Sequence, residues 1–307
     1  MRALAAFAMS GRSQAALVAA GSAVLSLILP LVAVISSAVV ALATLRQGAW
    51  EGLGVVGLAA IGSGGLAWLT LGAPLAGLGF LTVLWLPVWG LALVLRRTGR
   101  LALAVQTAAL AGLLVLVGLH LAMDDPAVYW AGILEPLRAS VVEGGVVGEA
   151  QSKDLIAALS KWMTGAFAGS LYVQFLLGLF LGRWWQGLLY NPGGFGAEFR
   201  SLRLSSLLGY AALGVGALRL GWPDAIWGYE LLVLLVPLLF LQGMAVAHGV
   251  RQSLGVGVGW LVALYLLLVV AMPYSELLVA GVGLLDLWLD LRHRAERRAE
   301  GRSKPNH

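Results

Sequence analysis

Apolar residues fall in long, nearly unbroken blocks, not in the one-face periodicity of water-facing helices or strands. A helix that crosses a bilayer needs about 20 such residues. Blocks of this kind occupy Gly52–Leu71, Leu75–Leu95, Leu101–Leu121, Trp162–Leu181, Leu204–Leu220, Ile226–Ala247, Gly255–Met272 and Glu276–Leu291. The stretch Gln14–Leu45 is long for one crossing and short for two, and Pro30 near its centre interrupts a helix. It reads as two short helices in a hairpin, with one long tilted helix as the alternative. Met1–Gly11, carrying Leu4 and Phe7, reads as a short interfacial helix. An early Arg before an apolar run also suits a secretion signal, but this run is too long and further spans follow. The pattern predicts an all-α, polytopic membrane bundle of about eight full spans plus the N-terminal hairpin. Residues 1–291 form one transmembrane domain and residues 292–307 a basic tail.

The one long polar interruption is Ala122–Lys161. Tyr129 and Trp130 are interfacial aromatics there. Ile133, Leu134, Leu137, Val141 and Val142 recur at helical spacing, as in a helix lying along the bilayer. Glu143–Gly148 breaks it, and Ser152 is placed to cap the next helix with Asp154 in its first turn. This segment can either cover a cavity or serve as a solvated connector.

Composition agrees with the pattern. Hydrophobic residues make up 60% and charged residues 11%, against about 45–50% and 25% in soluble domains. So few charges cannot coat a water-facing surface, which excludes a soluble enzyme, a disordered chain and a nucleic-acid binder. Cysteine is absent, so thiol chemistry and Cys-ligated metals are excluded. The net charge of +5 resides in short loops and the tail, where basic residues set topology. Arg2, Arg12, Arg46, Arg96, Arg97, Arg100, Arg183, Arg200, Arg203, Arg251 and the Arg292–Lys304 tail fall on one side if the hairpin counts as an even number of crossings. The positive-inside rule makes that side cytoplasmic and places both termini inside a bacterial cytoplasmic membrane. The 122–161 segment has six acids against three bases and lies outside. Arg219 is the exception; snorkelling or pairing with Asp224 would accommodate it.

Chemistry-bearing residues inside the spans are few. Gln106, Gln174 and Gln242 lie within them, Glu230 about one turn inside its helix, and His120 at an outer end. An outward cavity could collect His120, Glu230, Gln174, Tyr129 and Trp130 as ligand-binding groups; interhelical hydrogen bonds and a headgroup-level carboxylate are the other reading. Asp286, Asp290 and Arg294 stand at four-residue steps, which favours an Asp–Arg pair over a cation or proton site. Ala15, Ala19 and Ala23, and the pairs Gly165/Gly169 and Gly178/Gly182, form small faces suited to close helix packing, within the chain or with a partner. Gly255, Gly257 and Gly259 precede a span and follow no strand, so they form no dinucleotide fingerprint. No catalytic, cofactor or metal motif occurs, and no phosphate loop supplies energy.

The most distinctive stretch is Tyr190–Leu208, YNPGGFGAEFRSLRLSSLL. Asn-Pro-Gly-Gly is a turn, Trp184, Trp185 and Tyr190 anchor it, and Arg183, Arg200 and Arg203 suit anionic headgroups or an acidic partner. With the opening MRALAAFAMSGRSQAALVAAGSAV, it resembles the YybS-like family of bacterial membrane proteins, whose function is unassigned, over nearly the whole chain. The match is strongest at Asn191, Pro192, Gly193, Phe199, Arg200, Leu202 and Arg203; Ser205 stands where the pattern has proline. That family is distantly similar to the S-components of energy-coupling factor transporters. The resemblance implies a subunit that binds a small solute from outside and docks a membrane coupling subunit through an Ala-x-x-x-Ala face, here Ala15, Ala19 and Ala23. The competing expectation is a non-catalytic scaffold or regulator acting through its cytoplasmic Arg loops, including Arg200 and Arg203.

The topology is directly testable because the chain lacks cysteine. A single Val146→Cys is expected to react with a membrane-impermeant maleimide on intact spheroplasts, and a single His293→Cys only after lysis. The reverse labelling would invert the orientation.

Overall fold

The computed structural model describes residues 1–73, 75–222 and 226–303. Expectations resting on Pro74, Asp224 and Lys304 lie outside the described residues. Among those described, every regular element is helical. The chain begins with α1 (Arg2–Ala8) and α2 (Arg12–Leu25), turns through a 3-10 segment at Pro30–Val32, and returns as α3 (Ala33–Gln47). Gly48, at φ +118°, makes the sharp turn into α4 (Ala49–Leu71). The next rod joins α5 (Ala76–Gly79), a π turn (Phe80–Trp85) and α6 (Leu86–Thr98). Pro87 follows that π turn, where the missing amide interrupts the ladder. Next come α7 (Leu101–Ala122), α8 (Pro126–Glu143), α9 (Glu149–Ser160), α10 (Met163–Tyr190) and α11 (Gly194–Arg200). The chain ends with α12 (Ser206–Gly221), α13 (Ile226–Ser253), α14 (Gly259–Val270), α15 (Tyr274–Leu289) and α16 (Leu291–Ser303).

Among the described residues, six helices are long and apolar enough to cross a membrane: Pro30–Gln47, Ala49–Thr70, Ala76–Thr98, Leu101–Ala122, Met163–Tyr190 and Trp227–Ser253. The expectation of about eight full spans therefore narrows. The blocks at Leu204–Leu220, Gly255–Met272 and Glu276–Leu291 fold as α12, α14 and α15, of 16, 12 and 16 residues. At 1.5 Å per residue these reach about 18–24 Å, short of a hydrocarbon core of about 30 Å. Turn residues at both ends cut α14 well short of its apolar run, while α12 and α15 nearly match theirs.

Gln14–Leu45 forms the hairpin and not the single tilted helix. Ser36 Oγ on α3 donates to the Ala19 carbonyl on α2 (2.7 Å) and accepts from Trp85 Nε1 (2.8 Å), tying three segments together through one buried hydroxyl. In the 122–161 segment, Asp125 caps α8 by accepting from the Ala127 and Val128 amides (2.9 and 3.2 Å). The break at 144–148 is present, but Ser152 is not the next cap. α9 already starts at Glu149, and the Ser152 hydroxyl bonds back to the Glu149 carbonyl (2.7 Å). Ser205 does cap α12, accepting from the Leu207 amide (3.3 Å).

Glycine and alanine set the helix spacing. Gly165 and Gly169 lie against Glu230 and Val233 of α13, while Gly178 and Gly182 lie against Ser37 and Ala38 of α3. Ala15, Ala19 and Ala23 are buried on α2, within the cluster that includes Ala38, Val55 and Ala59 of α3 and α4. The face expected to dock a coupling subunit is thus already covered by the chain's own helices. Pro237 breaks the ladder inside α13, and beside it the Leu234 carbonyl accepts from Tyr172 Oη on α10 (2.6 Å).

Most of the arginines gather at one end of the bundle. Arg12 pairs with Glu51, Arg96 donates to the Leu45 carbonyl, and Arg46 stacks over Tyr190 (4.2 Å). Arg183 pairs with Glu198, Arg203 with Asp290, and Arg292 donates to the Arg200 and Leu202 carbonyls. These contacts interlock α2–α4, α6, α10, α11, α15 and α16. Arg219 lies elsewhere and stacks on Tyr229 (3.9 Å).

The α13–α15 contact yields the sharpest test of this packing. A methyl at Gly283 would strike the Leu239 carbonyl and the Gly243 amide nitrogen, whereas one at Gly281 meets open space. Gly283→Ala is expected to cost about 1–3 kcal/mol. Gly281→Ala is expected to be neutral or slightly stabilising, as measured by thermal unfolding in detergent.

Candidate functional site

The bundle end away from this arginine cluster joins the last turn of α7 to the first turns of α10 and α13. His120 and Glu230 meet there: Nε2 and Oε2 are 2.8 Å apart, with Glu230 fully buried and His120 partly buried. Gly165 makes room, because a Cβ on it would come within 2.7 Å of the Glu230 Cα. Trp227, one turn before Glu230, packs its ring on His120 with centroids 4.2 Å apart. Glu230 Oε1 makes no hydrogen bond of ordinary geometry, although the Gly165 amide lies close to the carboxylate. A buried carboxylate with spare acceptor capacity beside an imidazole can receive a hydrogen-bond donor or a cation, or hold a transferable proton.

The other expected ligands divide. Trp130 borders this site, its Nε1 donating to Thr164 Oγ1 (3.0 Å), next to Gly165. Tyr129 meets Trp130 edge-on (5.5 Å) but points largely outward. Gln174 does not join them. It lies nine residues beyond Gly165, about 13 Å along α10, and faces Ser37 Oγ at 3.5 Å. Its helical phase and depth suit α3 and not the pair. Three residues of the site went unforeseen: Trp227, Thr164 and Gly165 in this role. Trp227 was legible in principle, since three-residue spacing places it on the Glu230 face.

A second polar cluster sits at the basic end. Asp286, fully buried, accepts from Gln242 Nε2 (2.7 Å), the Leu291 amide (2.8 Å) and Arg292 Nη2 (2.9 Å). Gln242 Oε1 accepts from the Leu204 amide (3.0 Å). The expected Asp–Arg294 pairing is replaced. Asp290 ends α15 in the left-handed region (φ 47°), so the helix phase is lost and α16 starts anew. Arg292 then turns to Asp286, and Asp290 takes Arg203 (2.6 Å). Partial burial pushes the Asp290 carboxyl upward, but the Arg203 hydrogen bond and charge outweigh it and hold the group below its ordinary range. With every strong acceptor and donor here engaged inside the chain, the Asp286 cluster reads as a structural clamp.

Comparison with known proteins adds no family: no family model matches the chain, and neither a curated protein nor a solved structure does.

Removing one member of a buried pair leaves an uncompensated charge. Asp286→Ala is expected to cost about 3–5 kcal/mol, and exposed Arg294→Ala less than about 0.5 kcal/mol, by thermal or denaturant unfolding in detergent.

Proposed function

We propose that this protein is a multi-pass subunit of a bacterial cytoplasmic membrane that binds a small solute for transport at the His120–Glu230 pair, from the outer face. The observation that carries the reading is the buried Glu230 carboxylate, paired on one oxygen and lacking an ordinary hydrogen bond on the other. An ionisable side chain in a membrane bundle is costly, and a solute or a proton gives it a purpose. The spare oxygen is an acceptor, so the solute carries a hydrogen-bond donor or a positive charge. Trp227 and Trp130 supply aromatic surface beside it.

The likeness of Tyr190–Leu208 and of the opening residues to the YybS-like family, and through it to S-components, supports the same class of activity. The basic end is placed in the cytoplasm by the positive-inside rule, with both termini inside. A coupling subunit would meet this chain on a face other than Ala15, Ala19 and Ala23, which are buried. The scaffold reading is weaker because Arg12, Arg96, Arg183, Arg203 and Arg292 are engaged by this chain's own carboxylates and carbonyls.

Native mass spectrometry of the detergent-purified chain tests the proposal. The wild type is expected to retain a small-molecule adduct from the cell. Glu230→Gln, which keeps the volume but removes the charge, is expected to lose it at an unchanged unfolding temperature. A wild type free of any adduct under conditions that preserve bound lipid would overturn the solute-binding reading.

A further inference from the structure

Arg200, at the end of α11, lines two cavities of opposite character. One is polar, about 820 Å³, and shares its wall with Arg203, Arg292, His293, Gln252 and Ser253. The other is an apolar cleft of about 570 Å³ between α10, α11 and α13, walled by Leu177, Phe180, Phe195, Phe199 and Phe240. The Arg200 guanidinium lies over Gly196, which also lines the cleft. Arg203 and Arg292 are held by Asp290 and Asp286. Among the described residues, Arg200 has no carboxylate partner in this end of the bundle, and its backbone carbonyl is already taken by Arg292.

We infer that this junction is a binding site for one anionic phospholipid, its phosphate on Arg200 in the polar cavity and an acyl chain in the Phe180–Phe199 cleft. Charge complementarity identifies the headgroup. A half-buried guanidinium without a carboxylate partner matches a phosphate oxygen pair in fork geometry. Asp290 and Glu296 also line the polar cavity, but Asp290 is paired with Arg203 and Glu296 sits by His293 (3.7 Å).

The cleft identifies the rest of the molecule. Phe180, Phe195 and Phe199 stack on one another with centroids 5.7–6.2 Å apart. Phe199 abuts His248 (5.9 Å), whose Nε2 lies 2.9 Å from Tyr265 Oη. The apolar lining extends about 12 Å along α13, from His248 to Phe240. A free anion would use the arginine and leave this cleft without an occupant. A zwitterionic lipid would fill the cleft and gain less from the charge. An anionic lipid satisfies both, and the basic-end leaflet supplies it at the right depth. The site is independent of His120 and Glu230, at the opposite end of the bundle.

The test uses the full chain, delipidated in neutral detergent and titrated with phosphatidylglycerol, phosphatidylcholine or inorganic phosphate, with binding read by native mass spectrometry. Phosphatidylglycerol is expected to bind about tenfold more tightly than phosphatidylcholine, and inorganic phosphate to compete only weakly. Arg200→Ala is expected to remove that tenfold preference, while Arg97→Ala, an exposed arginine of the same end, leaves it intact. Leu177→Trp, which fills the cleft from its exposed rim, is expected to weaken both lipids while leaving Arg200 in place, so the proposal remains testable if Arg200→Ala fails to fold. Equal binding of the two lipids would overturn it. So would an Arg97→Ala loss as large as that of Arg200→Ala, or displacement of phosphatidylglycerol by inorganic phosphate at equal concentration.

Discussion

Hydrocarbon offers a polar group no partner, and that constraint organises this molecule. Breaks in helices and polar side chains between them are accordingly mostly answered by other parts of the protein. Pro237 interrupts α13, and Tyr172 on α10 bonds the neighbouring Leu234 carbonyl. The Ser36 hydroxyl both donates and accepts, linking α2, α3 and the rod that carries Trp85. Asp286, Gln242 and Arg292 close a circuit with the Leu204 amide and the Arg200 and Leu202 carbonyls. Such bonds demand short distances between helix axes, which is why glycines occupy the crossings. At Gly165, Gly182, Gly243 and Gly283, a side chain would strike a neighbouring backbone.

The same constraint separates the two ends. At the basic end Arg12, Arg96, Arg183, Arg203 and Arg292 each have an acceptor within the chain, so their charge is spent on holding neighbouring helices in register. Arg200 has no carboxylate partner among the described residues, and its position between a polar cavity and an aromatic cleft is what suits it to the proposed lipid. At the opposite end the 122–161 segment pairs charges locally, Arg138 with Glu135 and Lys153 with Glu149. One carboxylate is withdrawn into the bundle and given one partner, His120, which leaves it capacity for another. A fully satisfied buried pair stabilises or specifies a fold, whereas an incompletely satisfied one is poised for a ligand. That difference reads the Asp286 cluster as structural and is what supports the binding role proposed for Glu230.

Much of the architecture was legible because its cause is local. An apolar run in lipid must be helical, so α4, α6, α7, α10 and α13 fall where their blocks predict. Pro30 foretold the hairpin, and Asn-Pro-Gly-Gly the turn before α11. α14 is shorter than its block, because hydropathy counts the apolar turn residues at its ends as helix, whereas α12 and α15 nearly match blocks that were themselves short for a full crossing. His120 and Glu230 were both picked as rare polar groups near the outer level. Gln174 was picked on the same ground, but depth along a helix says nothing about which neighbour it faces.

What the sequence by itself determined is the medium, the helical class and the sidedness of charge, since these follow from composition and from order along the chain. Only the tertiary structure decided the partners. The left-handed turn at Asp290 shifts the phase of α16 by a backbone angle that no spacing rule encodes, and so gives Arg292 to Asp286 and Arg203 to Asp290. Likewise Ala15, Ala19 and Ala23 advertise a close contact but not with whom. Small residues permit approach from any helix, and it is the route of the whole chain that places α3 and α4 there first.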